Sequence, residues 1–348
     1  MVSQQNDELV RVYRGISEEC VAAVEAGDWP RSSYLLSHCV PAPTVASEGA
    51  SLEGTAGSLV PRRFEEDPVV GLNALLGTDP RHVRMLTEAR RLFGAFVDEL
   101  GGHVAEAERR RELAVHWCAP SSWHTVVAIF QENPALLPEA EREQWRPVAR
   151  EAVDELGAEL AASFAADPAR ELAIRLHGYR LTADGAMIAV FLDDEASGGA
   201  GGDDGGGGFT ALRARAKEVG TATLGALTSR PKKLIHVTIG RVLKLPDGIS
   251  AEVRRMVNWT VRRWVEGLQA GAVPSPRRPP PVYADRGNDE RASSSPPRRT
   301  SEERLETETV PLPGVGQVLV ISEVVVSTEQ QWWMADYTIV VRLPLAGT

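Results

Sequence analysis

The chain has 348 residues, 43% hydrophobic and 25% charged, enough apolar material for one large domain or two small lobes. A formal charge of −10 and a pI near 5.4 argue against an extended nucleic-acid-binding surface, which needs many Lys and Arg to displace condensed counterions, but leave room for a short nucleotide in a local basic pocket. Cys20, Cys39 and Cys118 form neither a disulfide framework nor paired metal-ligand spacing, which points to a reducing compartment.

The first residues, Met1 to Glu8, lack the basic flank and apolar run of a signal peptide, and no later stretch approaches the roughly 18 to 20 apolar residues of a membrane span. A soluble, cytoplasmic protein with no membrane partner is expected. Residues 7–26 place Leu9, Val10, Tyr13, Ile16, Cys20, Val21 and Val24 at helical spacing. Residues 41–63 are rich in Ser, Gly, Ala and Pro and read as a linker, so that 1–66 forms a helix plus flexible linker and 67–348 the main domain. A second helix is predicted over 81–100, stopped by Gly101-Gly102.

Short strands follow at 113–117 and 123–130, then a helix over 138–165 that Pro147 breaks or kinks. Strands 171–181 and 186–192 flank Thr182-Ala-Asp-Gly185, a hairpin signal, and residues 195–208 form a Gly-rich loop without the Lys-Ser/Thr ending of a P-loop. The order then repeats as helix 209–227, strand 233–243 and helix 250–268, capped by Asp247 or Ser250. Residues 272–306 form a Pro/Ser/Arg insert expected to be disordered, and strands 317–328 and 332–343 close the chain. Helices alternating with hairpins imply an α+β fold, an antiparallel or mixed sheet covered by helices, rather than a doubly wound nucleotide fold.

In Leu234-Ile-His236-Val-Thr238-Ile-Gly240, strand alternation puts His236 and Thr238 on one face. An imidazole that titrates near neutral pH beside a hydroxyl donor suits phosphoryl chemistry. His124, in Trp123-His124-Thr125-Val126-Val127, is the second strand histidine. Two residues on stands Val126, which offers no hydrogen bond, while Thr125 faces the other side of an ideal strand unless a bulge re-aims it.

His177 lies on the polar face of its strand; His38, His82, His103 and His116 have no partner spacing, and no zinc site is expected. Trp259 and Trp264 follow the core face of their helix, whereas Trp332-Trp333 sends one ring to each side of a strand.

These residues carry a resemblance. Pro231 to Leu243 resembles the second His-x-Thr motif of the two-histidine phosphoesterase superfamily, RNA ligase-like and cyclic-nucleotide phosphodiesterase proteins included, and Trp123 to Val127 stands in place of the first, in degenerate form. The strands Val318–Val326 and Tyr337–Leu343 resemble the closing strands of that family, from roughly residue 67 onward. The resemblance implies two pseudo-symmetric lobes around a shared cleft, one of His124 and His236 as general base and the other as general acid, and Thr238 with Thr125 holding the phosphate. It implies no metal and no other cofactor, and a small nucleotide or RNA end bearing a 2′,3′-cyclic phosphate as substrate. The alternative is a phosphate- or RNA-end-binding module that keeps the fold without turnover.

Overall fold

The computed structural model describes residues 2–31, 39–41, 59–61, 69–107, 113–134, 143, 148–166, 172–194, 208–225, 234–274, 310–329, 331 and 336–345. Pro147, most of the Gly-rich loop, most of the Pro/Ser/Arg insert, most of the 41–63 segment, His38 and Trp332-Trp333 lie outside them. The elements in chain order are α1 (Val2–Ala26), β1 (Cys39–Pro41), β2 (Leu59–Pro61), β3 (Val69–Leu75), α2 (Pro80–Ala107), β4 (Ala114–Trp117) and β5 (His124–Gln131). After these come α3 (Arg150–Ala166), β6 (Leu172–Leu181), β7 (Ala186–Asp193), α4 (Phe209–Leu224), β8 (His236–Lys244) and α5 (Ala251–Gln269). The chain closes with β9 (Ala272–Val273), β10 (Val310–Pro311), β11 (Val318–Ile321), β12 (Glu323–Glu329) and β13 (Tyr337–Pro344). No described helix is long and apolar enough to cross a membrane.

The fold is α+β, with two principal antiparallel sheets. The first has strand order β11-β6-β7-β8-β4 and the second β13-β12-β3-β5. The two short pairs, β1 with β2 and β9 with β10, are separate ribbons. On one face of the first sheet, Phe93 of α2 meets Tyr179 edge-on, and Phe96 of α2 meets Trp264 of α5. Aromatic contacts of this kind add to the burial of large apolar area that holds helices on a sheet. The helix α1 joins the same core through Leu9, Tyr13, Cys20 and Val24, with Trp29 just beyond its end, all buried.

Local chemistry sets the boundaries. The hydroxyl of Ser250 accepts from Val253 N at 3.1 Å and caps α5. The predicted Asp-Gly hairpin forms between β6 and β7, with Gly185 at φ +80°. A Cβ there would lie 2.1 Å from the carbonyl oxygen of Val242, so only glycine fits. The helix α2 runs through Gly101-Gly102 to Ala107 instead of stopping at residue 100. Each glycine costs about 1 kcal/mol relative to alanine, and burial of Leu100 and Val104 offsets it.

Two expectations are corrected at strand level. The closing apolar stretch predicted as one strand is two, since β11 pairs with β6 in the first sheet and β12 pairs with β3 and β13 in the second. Ser322 marks the crossing, and its carbonyl accepts from Leu345 N at 2.8 Å. The other is β3, a fully buried strand inside the second sheet that the linker-to-helix reading passed over. Its Asn73 donates from Nδ2 to Ser327 Oγ of β12 at 2.9 Å, which satisfies the amide nitrogen of a polar residue in a buried run across the ladder.

Candidate functional site

The two histidine-bearing strands meet along the seam between the sheets. The edge strand β4 runs antiparallel to β8 through Trp117 opposite Gly240, and Cys118 N then donates to Ile239 O at 3.1 Å. A 3-10 turn at Pro120–Ser122 carries the chain out of the first sheet, and it re-enters as β5, the edge of the second. This turn packs so closely on Gly77 that a Cβ there would sit 2.0 Å from Pro120 O. Trp123 O accepts from Leu76 N at 2.8 Å, which starts the β3–β5 ladder.

One side chain fastens the seam. Arg213 of α4 donates from Nε to Val127 O at 3.2 Å and from Nη2 to Val126 O at 3.0 Å, and Nη2 also reaches Leu234 O at the entry to β8. Carbonyls of the two strands thus share one guanidinium nitrogen. Val126 stands two residues after His124 and Leu234 two residues before His236, so the clasp joins the two histidine-bearing segments. The Arg213 guanidinium lies 4.6 Å from the Phe209 ring, and burial pulls its pKa down to about 10.

The first motif is regular at its histidine. His124 lies opposite Leu75, Thr125 opposite Ala74 and Val126 opposite Asn73, and the irregularity comes only afterwards, where Leu72 faces Ala128 and Val127 is the extra residue. His124 and Val126 therefore share a half-buried face, while Thr125 points the other way and is 0% exposed. No bulge re-aims it. Its Oγ1 is buried and has no hydrogen-bond partner among the described residues.

Nδ1 of His124 lies 2.8 Å from Ser122 O. A carbonyl can only accept, so Nδ1 bears the proton and Nε2 keeps its lone pair. Burial pushes the His124 pKa below its ordinary value, and the Ser122 bond pulls it partly back. The Ser122 bond fixes the tautomer, and burial favours the neutral imidazole.

The second motif sits in the middle of a ladder. His236 is opposite Val190, and Thr238 is opposite Ile188. Residues paired across an antiparallel ladder share a face, so the two functional groups project together and both are half-buried. The same rows continue into β6, where Val190 faces Gly178 and Ile188 faces Arg180. Ile239 is the extra residue on β8, between Thr238 opposite Ile188 and Gly240 opposite Met187. The bulge returns Arg241, opposite Ala186, to the face of Thr238, where it is ion-paired to Asp184.

Two contributors were invisible in the sequence. Tyr13 of α1 donates from its hydroxyl to Phe191 O at 2.6 Å and accepts from Ile235 N at 3.3 Å, so it is anchored to the residue preceding His236. Arg213 is the other, since the backbone groups that both bond lie far away in the chain. His177 stacks on Tyr13 with ring centroids 5.9 Å apart, and burial, then the charge of Arg180, lower its pKa. The other described histidines stand apart from the seam's chemistry: His116 is buried opposite Arg241, His82 is buried beside Asp79, and His103 bonds Thr260. Trp264 is buried core with its indole N–H on Glu99, and Arg263 covers the ring of Trp259. No group of three or more metal-ligating side chains occurs among the described residues.

No family model matches the chain, and no curated protein does. Among solved structures, TT0787 of Thermus thermophilus aligns over 80% of this chain and 98% of its own, at 14% identity and a TM-score of 0.36. At that level of similarity it carries no argument about activity.

Proposed function

We propose that the protein is a metal-independent phosphodiesterase of the two-histidine type, acting on a 2′,3′-cyclic phosphate or a related small cyclic-nucleotide or RNA-end phosphodiester. The observation that supports this reading is the seam: the Arg213 clasp ties Val126, two residues after His124, to Leu234, two residues before His236, and Thr238 lies on the face of His236. His124, with Nδ1 committed to Ser122 O, is the base whose Nε2 takes a proton from the attacking water. His236 is the acid that protonates the leaving oxygen, and the Thr238 hydroxyl donates to a non-bridging oxygen as its charge grows. Thr125 has no part in this scheme, because its hydroxyl is on the opposite face.

A panel of 2′,3′-cyclic nucleotides assayed in EDTA tests the reading. Turnover is expected, with His236→Ala lowering it by about 10² to 10⁴-fold, the usual worth of a positioned acid or base. Thr238→Val is expected to cost about 1 to 3 kcal/mol in transition-state binding, the scale of an unmade buried hydrogen bond. Binding without turnover selects the alternative, a phosphate- or RNA-end-binding module, and Val126 in place of a second hydroxyl is the residue that favours it. Neither binding nor turnover refutes both.

A further inference from the structure

The face of the first sheet that bears His236 and Thr238 is not open along its whole width. Val190 and Ile188, the cross-strand neighbours of these two residues, are 0% and 2% exposed on that face. The opposite face is the one packed by α2, through Phe93 on Tyr179. What lies over β6 and β7 on the histidine side is α1, which packs against both strands. Arg180, in the row of Ile188 and Thr238, donates to Tyr13 O at 3.4 Å, and Tyr13 stacks on His177.

The helix is fixed along its length. Asn6 exchanges two hydrogen bonds with the backbone of Asp193 at one end of β7, Tyr13 is held at Ile235 in the middle, and Trp29 donates to Thr182 O beside the hairpin at the other end. Its outward side exposes Asp7, Glu8, Glu18 and Glu19, against Arg11 and Arg14.

We propose that α1 is the specificity wall of the candidate cleft. It fills the inner face over β6 and β7, leaves the half-buried strip of His236 and Thr238 beside β5, and presents an acidic flank to whatever extends from the reacting phosphate. The strip accommodates a phosphodiester of mononucleotide size. A polynucleotide end brings further phosphates against the helix, where they meet both its bulk and like charge. The inference rests on the phosphodiesterase reading and narrows its substrate class to cyclic mononucleotides.

Calorimetric titration of the His236→Ala protein with cytidine 2′,3′-cyclic phosphate and with a tetranucleotide ending in the same group tests it without turnover. The mononucleotide is expected to bind at least about tenfold tighter, the effect of one or two like-charge contacts. Two further variants, made in the same background, probe the wall. Tyr13→Phe deletes the phenol's bonds at Phe191 and Ile235 and loosens it, and the surface pair Glu18→Gln/Glu19→Gln weakens its charge without touching the core. Each is expected to narrow the preference. Equal affinity for the two ligands, or a preference that neither variant moves, overturns the wall and leaves the phosphodiesterase reading standing. If neither ligand binds, that reading falls first and the wall with it.

Discussion

Thr125 and Val126 are neighbours in sequence and opposites in environment, and the pair gives a test at the scale of single side chains. The buried Thr125 hydroxyl has no partner among the described residues, so Thr125→Val removes an unsatisfied group while keeping shape. The change is expected to be neutral, or stabilising by up to about 1 kcal/mol in chemical denaturation, with phosphate affinity unaltered. Val126 shares the half-buried face of His124, and Val126→Thr adds a donor there. Turnover or phosphate affinity is expected to rise. A fall in both stability and affinity would mean that Val126 packs against apolar surface and that the first motif is core. The His-x-Thr strand, the second strand histidine and the turn of Thr125 away from the His124 face were all legible in the sequence, because period-2 alternation is a local property. Tyr13 and Arg213 were not, because each bonds backbone atoms of strands far away in the chain.

At the scale of elements, α4 fastens β5 to β8 through one guanidinium, so its removal separates a packing role from a chemical one. Arg213→Gln leaves carbonyls of Val126, Val127 and Leu234 short of donors. A loss of about 2 to 4 kcal/mol in unfolding free energy is expected, the cost of breaking a buried hydrogen-bond network. In the fraction that remains folded, kcat is expected to fall while KM changes little on the proposed mechanism, since the clasp joins the segments that carry the two histidines and touches no group proposed to hold the phosphate. An unchanged kcat would reduce Arg213 to a structural brace.

The helices α1, α2, α4 and α5, and the β6–β7 hairpin, followed from apolar periodicity and turn residues. The strand β3 did not, because Gly71 and Asn73 interrupt its apolar run and its strand character comes from two neighbours, one of them near the end of the chain. The division between β11 and β12 was hidden for a related reason. A valine-rich run records burial on both sides but not which sheet provides it.

At the scale of the whole molecule, the two sheets are connected at several independent places. The chain crosses between them at the 3-10 turn and again at Ser322, Arg213 ties β5 to the entry of β8, and buried apolar residues from both sheets share one large cluster. Unfolding is therefore expected to be a single transition, with far-UV circular dichroism and tryptophan emission coinciding along a denaturant series. Resolved transitions would assign each sheet its own stability. The strand order of the second sheet also bears on how the molecule is made. Of its four strands, β3 and β5 lie within residues 69–131, whereas β12 and β13 lie within 323–344. During synthesis, β3 waits for its partner β12 until the residues as far as Val325 have left the ribosome, because Val325 must find Asn73. Such distant pairings make folding slow, and they leave the buried edge of β3 open to wrong partners in the interval.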